Sequence, residues 1–201
     1  QAITDRLIPV WVLEPAETVP GAPRAAAASD VPPATAGDGA AAPLAGRVIV
    51  LTGATSGIGL AAAEALARLG ASLVLVGREP ALAHGAVERV RRAVAGADVR
   101  PAVADLASLR QVRALGDELA RLSRLDVLVH CAGVWHLRRR VTADGLEETL
   151  AVNHLAAFVL TDRLLPLLRA TPGSRVIAVS SHAAYGGRVR WHDPGWAAGR
   201  Y

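Results

Sequence analysis

From Gly46 onward the apolar positions fall into two alternating patterns: short runs dense in Val, Leu and Ile, and longer stretches in which Leu, Ala and Val recur at helical spacing. The short runs predict strands at Arg47–Thr52, Ser72–Val76, Val99–Ala104, Asp126–Cys131 and Arg175–Ser180. The longer ones predict helices at Ile58–Leu69, Pro80–Val94, Ser108–Leu122 and from Asp144 to about Arg169. The strands lack strict alternation, as expected when both faces of a sheet are buried. Repeated βα units of this length imply an α/β fold with a doubly wound parallel sheet, because a parallel connection needs a crossover and a helix supplies it.

Upstream of Leu44 the pattern stops. Between Glu14 and Pro43, 20 of 30 residues are Ala, Pro or Gly, with no apolar periodicity to bury. Such a stretch gains too little from burial to offset its ordering entropy, so residues 1–44 are expected to form a disordered Ala/Pro-rich tail and 45–201 the folded domain. Charge shifts at the same place: residues 1–44 carry two Arg against five acids, and 45–201 carries twenty against thirteen.

The net charge of +4 is small and there is no Lys, so all 22 basic residues are Arg, scattered over helix faces. That distribution excludes a nucleic-acid stripe. The triplet Arg138-Arg139-Arg140 reads as an exposed loop after a strand. The single Cys131 rules out an internal disulfide, and at a strand end it reads as a buried small residue. No uninterrupted apolar run approaches the ~18 residues of a membrane span, and Leu7–Leu13 is a poor signal peptide; the expectation is a cytoplasmic protein.

The candidate chemistry centres on Thr52-Gly53-Ala54-Thr55-Ser56-Gly57-Ile58-Gly59, between the first strand and the first helix. Gly53 can turn the chain tightly, Gly57 lets the backbone approach a pyrophosphate, and Gly59 lets the helix pack close to the sheet. The N–H groups of the first helical turn then point at the anion. An ordinary strand-to-helix loop is the plainer alternative; flanked as it is, the turn favours a dinucleotide fold of Rossmann type. At the end of the second strand an NAD site places an acid for the ribose 2′-hydroxyl, whereas this chain has Gly77-Arg78. A guanidinium there suits a 2′-phosphate and favours NADP(H), with NAD(H) admitted; the alternative is a surface Arg at a strand end.

Four more stretches follow in order: Asp105-Leu106-Ala107-Ser108-Leu109, His130-Cys131-Ala132-Gly133, Val152-Asn153-His154 and Val179-Ser180-Ser181. With the glycine turn, their spacing resembles the short-chain dehydrogenase/reductases over Leu44 to Tyr201. Thr142-Ala143-Asp144-Gly145-Leu146-Glu147 and Ser181-His182-Ala183 resemble the retinol-dehydrogenase-like branch. The resemblance implies cofactor contacts at Gly53, Thr55, Ser56, Gly57, Ile58, Gly59, Arg78, Asp105, Leu106, Ala132 and Gly133. Asp105 would bind the adenine edge. His130 and Cys131 stand where the family has two Asn. Catalytic roles fall on Asn153, which would hold a water in a proton relay, and on Ser181, which would hydrogen-bond the substrate oxygen, with Ser180 as the alternative. Taken without the resemblance, Asn153 reads as a satisfied polar residue in a helix.

The family's proton donor is the Tyr of a Tyr-x-x-x-Lys motif, which a chain without Lys lacks. Tyr185 reads as part of the loop leaving the fifth strand, Tyr201 is the last residue, and lone His182 and His192 read as exposed loop residues. The resemblance places the motif beyond Tyr201, together with the last strands of the sheet and much of the substrate pocket. The expected function is NAD(P)(H)-dependent interconversion of an alcohol with an aldehyde or ketone, the chain as given being inactive. A non-catalytic nucleotide-binding or scaffold protein of the same fold is the alternative. No metal site is expected, and homo-oligomerisation is left open.

Overall fold

A computed structural model of the chain describes residues 42–181 and 190–198. Strands β1 (Val48–Thr52), β2 (Ser72–Gly77), β3 (Val99–Val103), β4 (Val127–His130) and β5 (Arg175–Ala178) make one sheet. Its order is β3-β2-β1-β4-β5, with every neighbouring pair parallel. Between them run α1 (Gly57–Arg68), α2 (Pro80–Ala93) and α3 (Leu109–Leu119). A compound helix follows: the short α4 (Glu148–Leu150), a π-helical turn (Ala151–Leu155) and α5 (Ala156–Ala170).

The predicted strands and helices all form, and the unbroken apolar character of the strands has the expected cause. Ile49, Leu51, Leu73 and Leu75 face a core built with α1 and α2. Val50, Val74 and Val76, their neighbours in the same strands, face a second core built with α3 and α5. Each central strand is therefore buried on both sides. Leu44, assigned by composition to the end of the tail, packs on the first of these cores and donates its N–H to Leu69.

Three boundaries differ from the sequence reading by more than one residue, one of them the end of α3, at Leu119 rather than Leu122. The fourth helical stretch begins at Glu148 rather than Asp144, because the buried Glu147 carboxylate accepts from the N–H groups of Thr149 (2.8 Å) and Leu150 (2.7 Å) and so caps the helix there. Asp144 instead accepts from Leu109 N–H at 2.7 Å, at the start of α3. The fifth strand stops at Ala178, so Ser181 lies three residues past the strand it was expected to end. Among the described residues, the helical stretch Glu148–Ala170 is long and apolar enough to cross a membrane by length and composition. Its Leu160, Leu164 and Leu168 are buried in the core shared with α3 and the sheet.

At the amino ends of the central strands, Asp126 gathers the backbone. Its 3%-exposed carboxylate accepts from Val48 N–H (2.9 Å), from Arg47 (2.7 Å) and from two guanidinium nitrogens of Arg124 (2.8 and 2.6 Å). The Arg124 hydrogen bonds hold its carboxyl well below the usual carboxylate range, against the opposing effect of burial.

Candidate active site

The sheet changes direction at its centre: β2 and β3 extend from β1 to one side, β5 from β4 to the other. Loops leaving the carboxyl ends of β1 and β4 therefore part toward opposite faces and open a crevice between them. Thr52, the last residue of β1, ties the two loops together. Its side-chain oxygen accepts from the N–H groups of Cys131 (3.1 Å) and Ala132 (3.2 Å), and its hydroxyl donates to the Val129 carbonyl at 3.4 Å. Gly53 follows with φ +70°, and a Cβ there would stand 2.6 Å from Ala132 Cα, so the loops touch backbone to backbone. At Gly59 a Cβ would collide with the Gly53 carbonyl, which is how α1 sits tight against the turn.

The crevice widens into a cleft of about 560 Å³. Gly53, Thr55, Ser56, Gly57, Ile58, Gly59, Arg78, Asp105, Leu106, Ala132 and Gly133 all line it, so all eleven proposed binding residues meet there. Ser56 stands at the N-cap of α1 but makes no side-chain cap hydrogen bond, which leaves the first-turn N–H groups to an anion in the cleft. Ile58, 74% exposed, is a large apolar residue presented at the cleft. Asp105 Oδ1 accepts from Ala107 N–H (3.0 Å), which fixes the carboxylate at the carboxyl end of β3. Uncapped helix and glycine turn fit the phosphate chain of a dinucleotide.

Asn153 sits in the π-helical turn rather than in regular helix, and there it clamps the loop after β4: Oδ1 accepts from Val134 N–H (2.8 Å) and Nδ2 donates to the Val134 carbonyl (2.9 Å). Such turns recur at functional sites. Asn153 lines a smaller pocket of about 40 Å³ beneath the cleft, with Thr52, Leu106, His130 and Val179. His130, 8% exposed, pairs through Nε2 with Thr161 Oγ1 at 2.8 Å, and burial pushes its pKa down to about 4, so it is neutral near pH 7.

Several readings need adjustment. Cys131 is half-buried rather than fully buried: it packs against the core shared with α1 and α2 and also lines the cleft, and burial pushes its thiol pKa up. Ser180 and Ser181 are exposed just beyond Val179; Val179 reaches the cleft wall, whereas Ser181 is not among the lining residues. Of the Arg triplet, Arg138 and Arg140 are exposed, but Arg139 is half-buried and donates to the Gly195 carbonyl at 2.9 Å. His192 is exposed; His182, Tyr185 and Tyr201 lie outside the described residues. Sequence reasoning assigned no role to Thr52, Val134 or Thr161. A signal existed for Thr52, since a hydroxyl at the last position of a strand buried on both faces must find partners in the neighbouring loop.

The family model for short chain dehydrogenases matches residues 47–192. A Streptomyces sp. (strain C5) protein described as a daunorubicin C-13 ketoreductase is 48% identical over 147 residues, covering 73% of this chain and 50% of that protein. Retinol dehydrogenase 14 of Mus musculus is 40% identical over 159 residues, covering 74% of this chain and 48% of that protein. The chain spans about half the length of the curated relatives it matches. Among solved structures, a short chain dehydrogenase from Shigella flexneri 2a str. 301, complexed with NADP, superposes with TM-score 0.62 at 28% identity, over 76% of this chain and 66% of that one. The chain belongs to the short-chain dehydrogenase/reductase family, in the branch where the retinol dehydrogenases lie.

Proposed function

We propose that the chain carries the cofactor half of an oxidoreductase that interconverts an alcohol and a carbonyl compound with NADP(H), in preference to NAD(H). The observation that carries this reading is the convergence of the glycine turn, the uncapped start of α1 and Arg78 on one cleft. The structure solved with NADP and the relatives named as a ketoreductase and a retinol dehydrogenase support it. The nicotinamide supplies the hydride. The protein's part is to hold the phosphates at α1, to pair Arg78 with a ribose 2′-phosphate, and to fix the Ala132-Gly133 loop through Thr52 and Asn153.

Ser181 would donate a hydrogen bond to the substrate oxygen, stabilising the charge that develops there. The substrate is a lipophilic alcohol, aldehyde or ketone, by analogy with the relatives' names. The 201-residue chain contains no Lys, and this favours a second reading for the chain by itself, a nucleotide-binding module without turnover.

Equilibrium titration with NADPH and NADH tests the cofactor assignment. A charge-assisted contact is worth about 1.5–3 kcal/mol, so Arg78→Asp should reverse the preference by roughly tenfold or more. Equal affinity for both cofactors in the parent chain, or no change on substitution, would remove the assignment.

A further inference from the structure

Four charged residues line the cleft: Arg78, Glu79, Asp105 and Glu148. The first three follow β2 and β3, to one side of β1 in the sheet, whereas Glu148 belongs to the β4 side. It opens α4, donates its N–H to the Arg140 carbonyl at 3.0 Å, and sets Oε2 3.2 Å from His136 Nε2. Backbone and side chain thus both tie it to the loop leaving β4. The two side chains are mostly buried, and their contact is not a hydrogen bond. His136 therefore confines a carboxylate whose charge remains available to the cleft.

We infer that Glu148 makes the cleft discriminate the oxidation state of the cofactor, holding the oxidised form more tightly, an inference that rests on the cofactor reading above. With the phosphates at α1 and the adenosine ribose at Arg78, the nicotinamide extends past β1 to the β4 side. There Glu148 is the sole formal charge among the residues that line the cleft. An oxidised nicotinamide ring carries a positive charge and a reduced ring carries none, so the carboxylate attracts only the first. Glu79 and Asp105 act on the adenosine end, whose charge is the same in both forms, and so do not discriminate. Tighter binding of the oxidised form biases the equilibrium between bound states toward alcohol and oxidised cofactor, which is the direction of carbonyl reduction.

Calorimetric titration of NADP+ and NADPH into the full chain and its variants decides the matter. The parent should bind NADP+ more tightly than NADPH, and Glu148→Gln should cut that ratio about three- to tenfold while NADPH still binds, which also shows the variant to be folded. Glu148→Asp, which keeps the charge, should retain most of the ratio. Glu88→Gln, the same charge change on α2 outside the cleft, should leave it unaltered. A parent that prefers NADPH, a ratio that survives Glu148→Gln, or one that falls equally in Glu148→Gln and Glu148→Asp refutes the role of Glu148. The cofactor reading then stands if Arg78→Gln still weakens NADPH binding. If the parent binds neither form, or Arg78→Gln changes nothing, that reading falls and this inference with it.

Discussion

Two buried ionisable side chains bring acid sensitivity in separate pH windows. The His130 pKa lies at about 4 in the folded chain, depressed by burial from 6.5, so the unfolded chain binds the proton more readily. The stability associated with neutral His130 is complete above pH 6.5 and is lost as pH falls from there toward 4, by up to about 3 kcal/mol. Asp126 has its carboxyl depressed by Arg124, so its contribution persists down to about pH 4 and is lost below that. Denaturant midpoints measured from pH 7.5 to 4.5 should therefore decline in the parent chain and stay much flatter in His130→Asn. Parallel slopes in the two proteins would show that His130 is not the group titrating. Thr52→Val, nearly isosteric, strands the N–H groups of Cys131 and Ala132. It should cost about 2–3 kcal/mol in chemical denaturation and weaken NADPH binding, since the loop it releases forms a wall of the cleft.

Where α1 meets the glycine turn, tolerance is set by backbone contact rather than by side chains. Gly59→Ala drives a methyl into the Gly53 carbonyl, so α1 must shift away from the site its N-terminus serves. The expected outcome is a loss of about 1–3 kcal/mol, with cofactor affinity falling more steeply than stability alone explains. A variant with unchanged affinity would mean that the phosphate site does not depend on this approach. Why this turn was legible, and the compound helix less so, is physical. Gly53 and Gly59 leave a residue-type record of close approach and Gly57 one of a positive φ, and the apolar runs of β1 and β2 record burial on both faces. The extra residue of the π-helical turn leaves no such record, because Ala151, Val152 and Leu155 suit regular helix equally well. Its cause is tertiary: Asn153 spends both ends of its amide on Val134, nineteen positions earlier. The start at Glu148 also depends on the burial of Glu147, which a single surface-like Glu in the sequence does not announce.

For the whole molecule, the activity of the chain and the extent of its folding unit are separate questions. We expect the 201-residue chain to show no steady NADPH oxidation with a carbonyl substrate, because a general acid such as the family's Tyr–Lys pair contributes about 10²–10⁴-fold and this chain has no Lys. Turnover that His192→Ala abolishes would identify another acid and overturn that expectation. Removal of residues 1–41 should leave the thermal midpoint unchanged, since the Ala/Pro/Gly-rich composition from Glu14 onward offers little apolar surface, while among the described residues Ala42 and Leu44 contact the turn after α1 at Gly70 and Leu69. A drop of several degrees would show that the amino-terminal segment docks on the domain. The sheet order also bears on how the chain is made. Ile49 of β1 pairs with Leu73 on one side and with Val127 on the other, so the two edges of the same strand are completed 24 and 78 residues later. At ribosomal rates of about 5–20 residues per second, the second edge of β1 waits about 4–16 s for β4 to be synthesised. Over that interval Ile49, Val50 and Leu51 present an open apolar strand edge, so the nascent chain between β3 and β4 is an aggregation-exposed stage of its synthesis.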